Sequence, residues 1–163
     1  MLHTLLSKLD SHIATADAHC DIPCGIYDAR IVTYYAVSTL RQIDILLGLK
    51  DKGLSETAFA MQVARNTAKK EEMAENVKHQ TRIIWGDFMK GDHLKKHPGA
   101  HELAHKIMLA GSACKQDLHR EDGEKLVELC NEFSEMFWSM KGVKTKKVTT
   151  PYAPNVEVVE PAL

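Results

Sequence analysis

No stretch of this chain is both long and apolar. Its 163 residues contain no hydrophobic run near the ~18 residues of a membrane span, which excludes a helical membrane anchor. Charge of one sign is missing too. With a formal net charge of −1 the chain lacks the basic excess of a nucleic-acid-binding surface, so no nucleic-acid partner is expected. Its four cysteines are too few and too unevenly placed for a secreted disulfide scaffold. Sustained period-2 alternation is absent as well, which argues against a sheet as the main architecture. What remains is 44% hydrophobic and 26% charged material, enough for one soluble domain with a single core.

That material falls into four amphipathic stretches. Ile31, Tyr34, Tyr35, Val37, Leu40, Ile43, Leu46 and Leu47 recur at helical spacing and predict a helix over about 29–49, ended by Gly48 and Gly53. Ser55 reads as the N-cap of a long helix over about 55–88, and part of its charged middle, Asn66 to Lys78, is expected to face solvent or bend. A third helix follows His97-Pro98-Gly99 over about 100–114, and a fourth covers about 121–141. Cys114 and Cys130 lie within these last two patterns and read as small buried hydrophobes. The economical fold is all-α, an antiparallel four-helix bundle over 28–142. Residues 143–163 hold three of the five prolines and no sustained periodicity, and read as a flexible tail.

The chemistry is concentrated ahead of the bundle. His19-Cys20-Asp21-Ile22-Pro23-Cys24-Gly25-Ile26-Tyr27 places two thiols and an imidazole in a segment that Pro and Gly keep from being helical. Two Cys and one His fall one ligand short of a closed structural zinc site. The deficit is filled if the chain is cut to begin at His19. A free α-amine titrates at about 7.7–8.0 and can join as a ligand near neutral pH. The Cys20 amide nitrogen lies between that amine and the Cys20 thiolate. Amine, amide and the two thiolates then form a plane suited to Ni(II) or Cu(II), with the imidazole available on the axis. Cys-x-x-x-Cys alone fits a loop of buried or disulfide-linked thiols better; the whole nonapeptide does not.

That nonapeptide, His-Cys-Asp-x-Pro-Cys-Gly-x-Tyr, closely resembles the nickel hook of the nickel-containing superoxide dismutases. Trp85-Gly86-Asp87-Phe88-Met89-Lys90 with His93 to Pro98, and Phe137-Trp138-Ser139-Met140-Lys141, resemble two later segments of the same family, in the same order. The resemblance implies an oxidoreductase that disproportionates superoxide to oxygen and hydrogen peroxide through a Ni(II)/Ni(III) cycle, with one nickel ion per subunit held by His19, Cys20 and Cys24. It further implies that Tyr27 gates the open axial face, that Asp21 positions Tyr27, that Lys90 attracts the anion, and that the subunits form a homohexamer. Two departures touch the surroundings of the metal. Members place a Glu on the first helix to hold the hook's imidazole, where this chain has Val32, and a tyrosine near the metal is here Phe88. Both are expected to affect orientation of the ligands rather than the ligand set.

Residues 1–18 carry Leu2, Leu5, Leu6, Leu9 and Ile13 at helical spacing, interrupted by Lys8, Asp10 and His12. They read as an amphipathic pro-segment ending in Ala16-Asp17-Ala18, to be removed before His19 by a processing protease, and not as an export signal, which places the protein in the cytoplasm. Three rival readings remain, one of them a helical interaction protein that is never processed, whose hook stays internal and lacks its amine ligand. The same hook suits a nickel or copper carrier without catalysis. The run His101-Glu102-Leu103-Ala104-His105 matches the zinc-protease pattern His-Glu-x-x-His, although no third ligand can be named and no substrate cleft is expected.

Overall fold

The computed structural model describes residues 25–163. Four long helices form the bundle: α1 (Arg30–Leu47), α2 (Glu56–Ile83), α4 (Ala100–Gln116) and α5 (Arg120–Met140). The short α3 (Asp92–Lys96) lies in the connection between α2 and α4. Each long helix packs on two others, α1 and α4 both on α2 and α5, which encloses one core. The four expected helices are present with ends close to those read from the sequence.

The inward face of α1 differs from the expected stripe. Val32, Ala36, Val37, Leu40 and Ile43 are buried, whereas Ile31, Tyr34 and Leu47 face outward. The reason is that α1 is apolar on two sides, and the side with small residues, Ala36 and Thr39 among them, admits the closest neighbours. Gly123 of α5 shows how close: a Cβ there would stand 2.9 Å from Leu40 Cδ1. The core beneath is built on Phe133, Phe137, Leu40, Ile107 and Leu126, all fully buried.

The charged middle of α2 does not face solvent throughout. Lys70 is 4% exposed, and its ammonium donates to the carbonyl oxygen of Asp117 at 2.7 Å, where α4 has just ended. A cation at a helix C-terminus meets carbonyls that have no helical partner. Lys78 Nζ likewise reaches Ser112 Oγ at 3.0 Å, and Glu75 accepts from both Lys115 (2.9 Å) and Arg82 (3.2 Å). The polar face of α2 is thus its seam with α4. Past Ile83 the helix widens into a π-helical turn, Ile84–Phe88, which re-aims the side chains that follow.

The last 21 residues are where the sequence reading fails. The stretch 143–163, expected as a flexible tail, folds into an antiparallel hairpin of β1 (Thr145–Thr149) and β2 (Glu157–Pro161), with Val148 opposite Val158. It packs on α5 and α1 and buries Val158 and Val159. Asn131 of α5 anchors it twice, donating from Nδ2 to Glu157 O (2.9 Å) and accepting the Val159 N–H at Oδ1 (3.0 Å). A side-chain amide that satisfies one donor and one acceptor of a strand replaces a missing neighbour strand. Replacing Asn131 by Ala strips both bonds at once and is expected to lower stability by about 1–3 kcal/mol, read as a drop in the denaturant midpoint. An unchanged midpoint would show that the hairpin is held by its valines alone.

Candidate metal centre

Of the residues nominated for the metal and its chemistry, His19, Cys20, Asp21 and Cys24 lie outside the described residues, and Tyr27 lies within them. The chain enters the bundle through Gly25, at φ +91°, and reaches α1 only five residues later. Asp28 prepares that entry. Its carboxylate accepts the backbone N–H of Arg30 at 2.9 Å and takes the Arg30 side chain, Nε at 2.9 Å, in a two-pronged ion pair. This is the work of a helix cap, supplied one residue ahead of the formal cap position Ala29.

Burial alone would push the Asp28 carboxyl up. The hydrogen bonds from the Arg30 side chain and amide, the Arg30 charge and the Lys141 charge outweigh it and hold the group below the ordinary carboxylate range.

Tyr27 stands on an aromatic cluster. Its ring centroid lies 5.7 Å from that of Phe88, which stacks on His93 at 4.7 Å and packs on Phe137 at 5.0 Å. The Lys141 ammonium sits over the Phe88 ring at 5.0 Å and over Phe137 at 5.5 Å, a cation–π arrangement. His93 is fixed in turn. A carbonyl can only accept, so the 3.1 Å contact from His93 Nδ1 to Phe88 O makes Nδ1 the protonated nitrogen. At Phe88, where the resembled family has a tyrosine, the π-turn thus presents an apolar ring with a cation on one side and Tyr27 on another. Sequence reasoning named Lys90, which is exposed; it missed that Lys141 is the lysine stationed at this cluster. The signal was the Phe-Trp-x-x-Lys ending, which brings Phe137 and Lys141 onto one face one turn apart.

Val32, which stands where an imidazole-holding Glu was anticipated, is fully buried among core side chains. Nothing ionic is offered from that position.

The first histidine of the zinc-protease pattern is otherwise engaged. Trp85 Nε1 donates to His101 Nδ1 at 2.9 Å, and an indole N–H has no accepting role. A neutral His101 therefore keeps its proton on Nε2, the nitrogen that a metal would need. Glu102 is bound to Lys106 at 2.7 Å on the helix surface, where that hydrogen bond holds its carboxyl below the ordinary range. Among the described residues no three His, Cys, Asp or Glu side chains gather as a metal site.

The cysteines sort cleanly. Cys114 and Cys130 are buried free thiols, and desolvation pushes Cys114 up to about 12 and raises Cys130 as well. A buried protonated thiol is no ligand. The chain's two other cysteines, Cys20 and Cys24, lie outside the described residues, and soft thiolate donors of that kind suit nickel as they suit copper or zinc.

The Asp28 ion pair has a signature in acid. Because the folded carboxylate is held low, its stabilisation is fully present above the unfolded pKa of about 3.9 and disappears as pH falls through the lower folded value. Asp28→Asn, which keeps a capping side chain but no charge, is expected to be less stable than the parent at pH 7 and to match it near pH 2. Urea midpoints across that range check this; a gap that stays constant with pH would assign the loss to something other than charge.

Comparison with known proteins bears on the same stretch. The sequence profile of the family described as nickel-containing superoxide dismutase matches residues 14–141. The chain is similar to the "Superoxide dismutase [Ni]" of Streptomyces coelicolor, with 31% identity over 137 residues that cover 84% of this chain and 98% of that protein. It is also similar to the protein of the same name from Streptomyces seoulensis, at 29% identity over the same shares. Among solved structures, the native nickel superoxide dismutase at 1.30 Å superposes with a TM-score of 0.66 and 30% identity, covering 76% of this chain and 99% of that one.

Proposed function

The chain belongs to the nickel-containing superoxide dismutase family, and from that premise we propose that His19, Cys20 and Cys24 hold its nickel and that Tyr27 and Asp21 attend the reaction. The activity is the disproportionation of superoxide, two superoxide ions and two protons giving oxygen and hydrogen peroxide, with nickel as the cofactor. A carrier without catalysis, the other use of such a hook, has no counterpart in relatives that are named as dismutases. The observation that carries the residue assignment is the division of the thiols: two are locked, protonated, in the core, and the family match begins at residue 14, ahead of the other two.

Bound there, nickel supplies a centre that accepts an electron from one superoxide and returns it to the next. The chain's own residues set the terms. Thiolates from Cys20 and Cys24, with the Cys20 amide and the amine and imidazole of His19, would hold the metal, and their negative charge would bring its redox change within reach. Tyr27, braced by Phe88, offers a phenol to hydrogen-bond the incoming anion or an ordered water, with Asp21 orienting it. Lys141 over Phe88 places a positive charge behind the tyrosine, where it favours approach of an anion. Lys90, exposed beyond the π-turn, serves the same field at longer range.

The amine ligand exists only after cleavage before His19, so residues 1–18 act as a pro-segment removed by a processing protease. The remaining parts of the reading are a cytoplasmic location and a homohexamer of bundles, the latter supported by family resemblance. Among the described residues no helix is long and apolar enough to cross a membrane.

Intact mass and N-terminal sequencing of protein purified with its natural processing partners, beside metal analysis and a superoxide-consumption assay, test this directly. A chain beginning at His19 with one nickel per subunit and activity is expected. Cys20→Ser and Cys24→Ser should each lose nickel and activity, while Cys114→Ala keeps both. Retention of metal in the first two variants would overturn the ligand assignment. A second check concerns the cation: Lys141→Met is expected to lower kcat/KM several-fold at low salt and to flatten its dependence on ionic strength, leaving nickel content unchanged. A profile as salt-dependent as the parent's would remove Lys141 from the reaction.

A further inference from the structure

Where α2 runs into the π-turn, its seam with α4 leaves a hollow of about 160 Å³. Thr81 and Arg82 line it from α2, Trp85 from the π-turn, and Ala104 and Met108 from α4, with the exposed imidazoles of His101 and His105 on the same helix. Most polar atoms of this lining are already engaged. Trp85 Nε1 donates to His101 Nδ1, so the rest of the indole brings only carbon to the wall. Arg82 Nη2 donates to Glu75 Oε1 at 3.2 Å, and its Nη1 approaches Met108 Sδ at 3.9 Å. Thr81 is the exception. It is fully buried, and its Oγ1 has no hydrogen-bond partner among the described residues. A helical threonine commonly donates to the carbonyl one turn back, as Thr39 does to Tyr35 O at 2.8 Å. A hydroxyl left unanswered in an apolar wall is destabilising until something meets it.

We propose that this hollow binds a neutral aromatic alcohol of one ring, a simple phenol, whose hydroxyl meets Thr81 Oγ1 and whose ring lies among Trp85, Ala104 and Met108. Size sets the class. An apolar cavity of about 150 Å³ takes up benzene, and phenol adds one oxygen to that ring. Chemistry narrows it further, because an aromatic ring gains from contact with both an indole and a thioether sulfur, which an aliphatic one does not. The threonine hydroxyl can donate or accept, so it serves a phenolic O–H either way. Charge is selected against. Arg82 is paired with Glu75, and a carboxylate would have to break that pair or be buried against carbon without a partner.

The occupant touches α2, the π-turn and α4 at once. Because it binds the folded chain alone, it raises the melting temperature as its concentration rises. Binding requires neither nickel nor cleavage before His19.

Calorimetric titration and thermal melts of the full-length chain with phenol, toluene and benzoate test this. Phenol is expected to saturate one site per chain and to raise the melting temperature with dose, while benzoate binds several-fold more weakly. Thr81→Val, which keeps the shape and removes the hydroxyl, should weaken phenol several-fold and leave toluene unchanged. Ala104→Leu, which fills the hollow, should abolish binding of both. Undiminished phenol binding in either variant would overturn the proposal. Benzoate as tight as phenol would do the same, assigning recognition to the Arg82 charge. So would a parent chain that takes up no phenol, which would leave the Thr81 hydroxyl to an ordered water. A chain that binds no nickel or is never cut at His19 would sink the hook assignment and leave these readouts standing.

Discussion

The ring of Phe88 is the contact on which the site end of the molecule depends. An irregular loop has no ladder of its own to fix it, so it is only as well placed as its junction with regular structure. Here that junction is Tyr27 against Phe88, with Phe88 itself wedged against His93 and Phe137. The π-turn at Ile84–Phe88 is what frees the ring to occupy this place, since an extra residue in the turn rotates everything after it. The Lys141 ammonium over the same ring adds a charge without a second hydroxyl. Phe88 serves here as a packing element.

Asp28 completes the junction from the other side. It caps α1, pairs with Arg30 and is influenced by Lys141, so the start of the first helix and the end of the last share one electrostatic neighbourhood. The hairpin extends that neighbourhood: Glu160 of β2 raises the Arg30 guanidinium along with Asp28. The entry to α1 is therefore rooted where α1, the π-turn, α5 and the hairpin converge.

How much of this was legible in the sequence depends on the range of the interactions involved. The four long helices were, because apolar periodicity is a local record of burial. The ligand set was nominated from nine consecutive residues, whose chemistry needs no tertiary context. The inward face of α1 was not, because Ile31 and Tyr34 are as apolar as Val32 and Ala36, and only the closeness of neighbouring helices chooses between them. The hairpin was missed because its strands are five residues each and its prolines read as disorder, while its anchor, Asn131, lies 26 residues before Glu157. The burial of Lys70 was out of reach for a similar reason. A buried lysine makes sense only beside the helix end it caps, 47 residues away. Trp85 and His101 likewise meet only in the fold, and their hydrogen bond turns a familiar motif into an ordinary pair of surface helix turns.

The hairpin also decides where the chain stops. Ala162 N–H reaches back to Lys144 O at 2.8 Å, so β2 returns the C-terminus to the foot of α5, three residues past the lysine that overlies Phe88. Leu163 is 96% exposed there. The first turn of α1 lies beside the same strand, with Arg30 near Glu160. A handle at the C-terminus would hang beside that junction, so the blunt α1–α2 turn around Gly53 is the sounder place to attach a label.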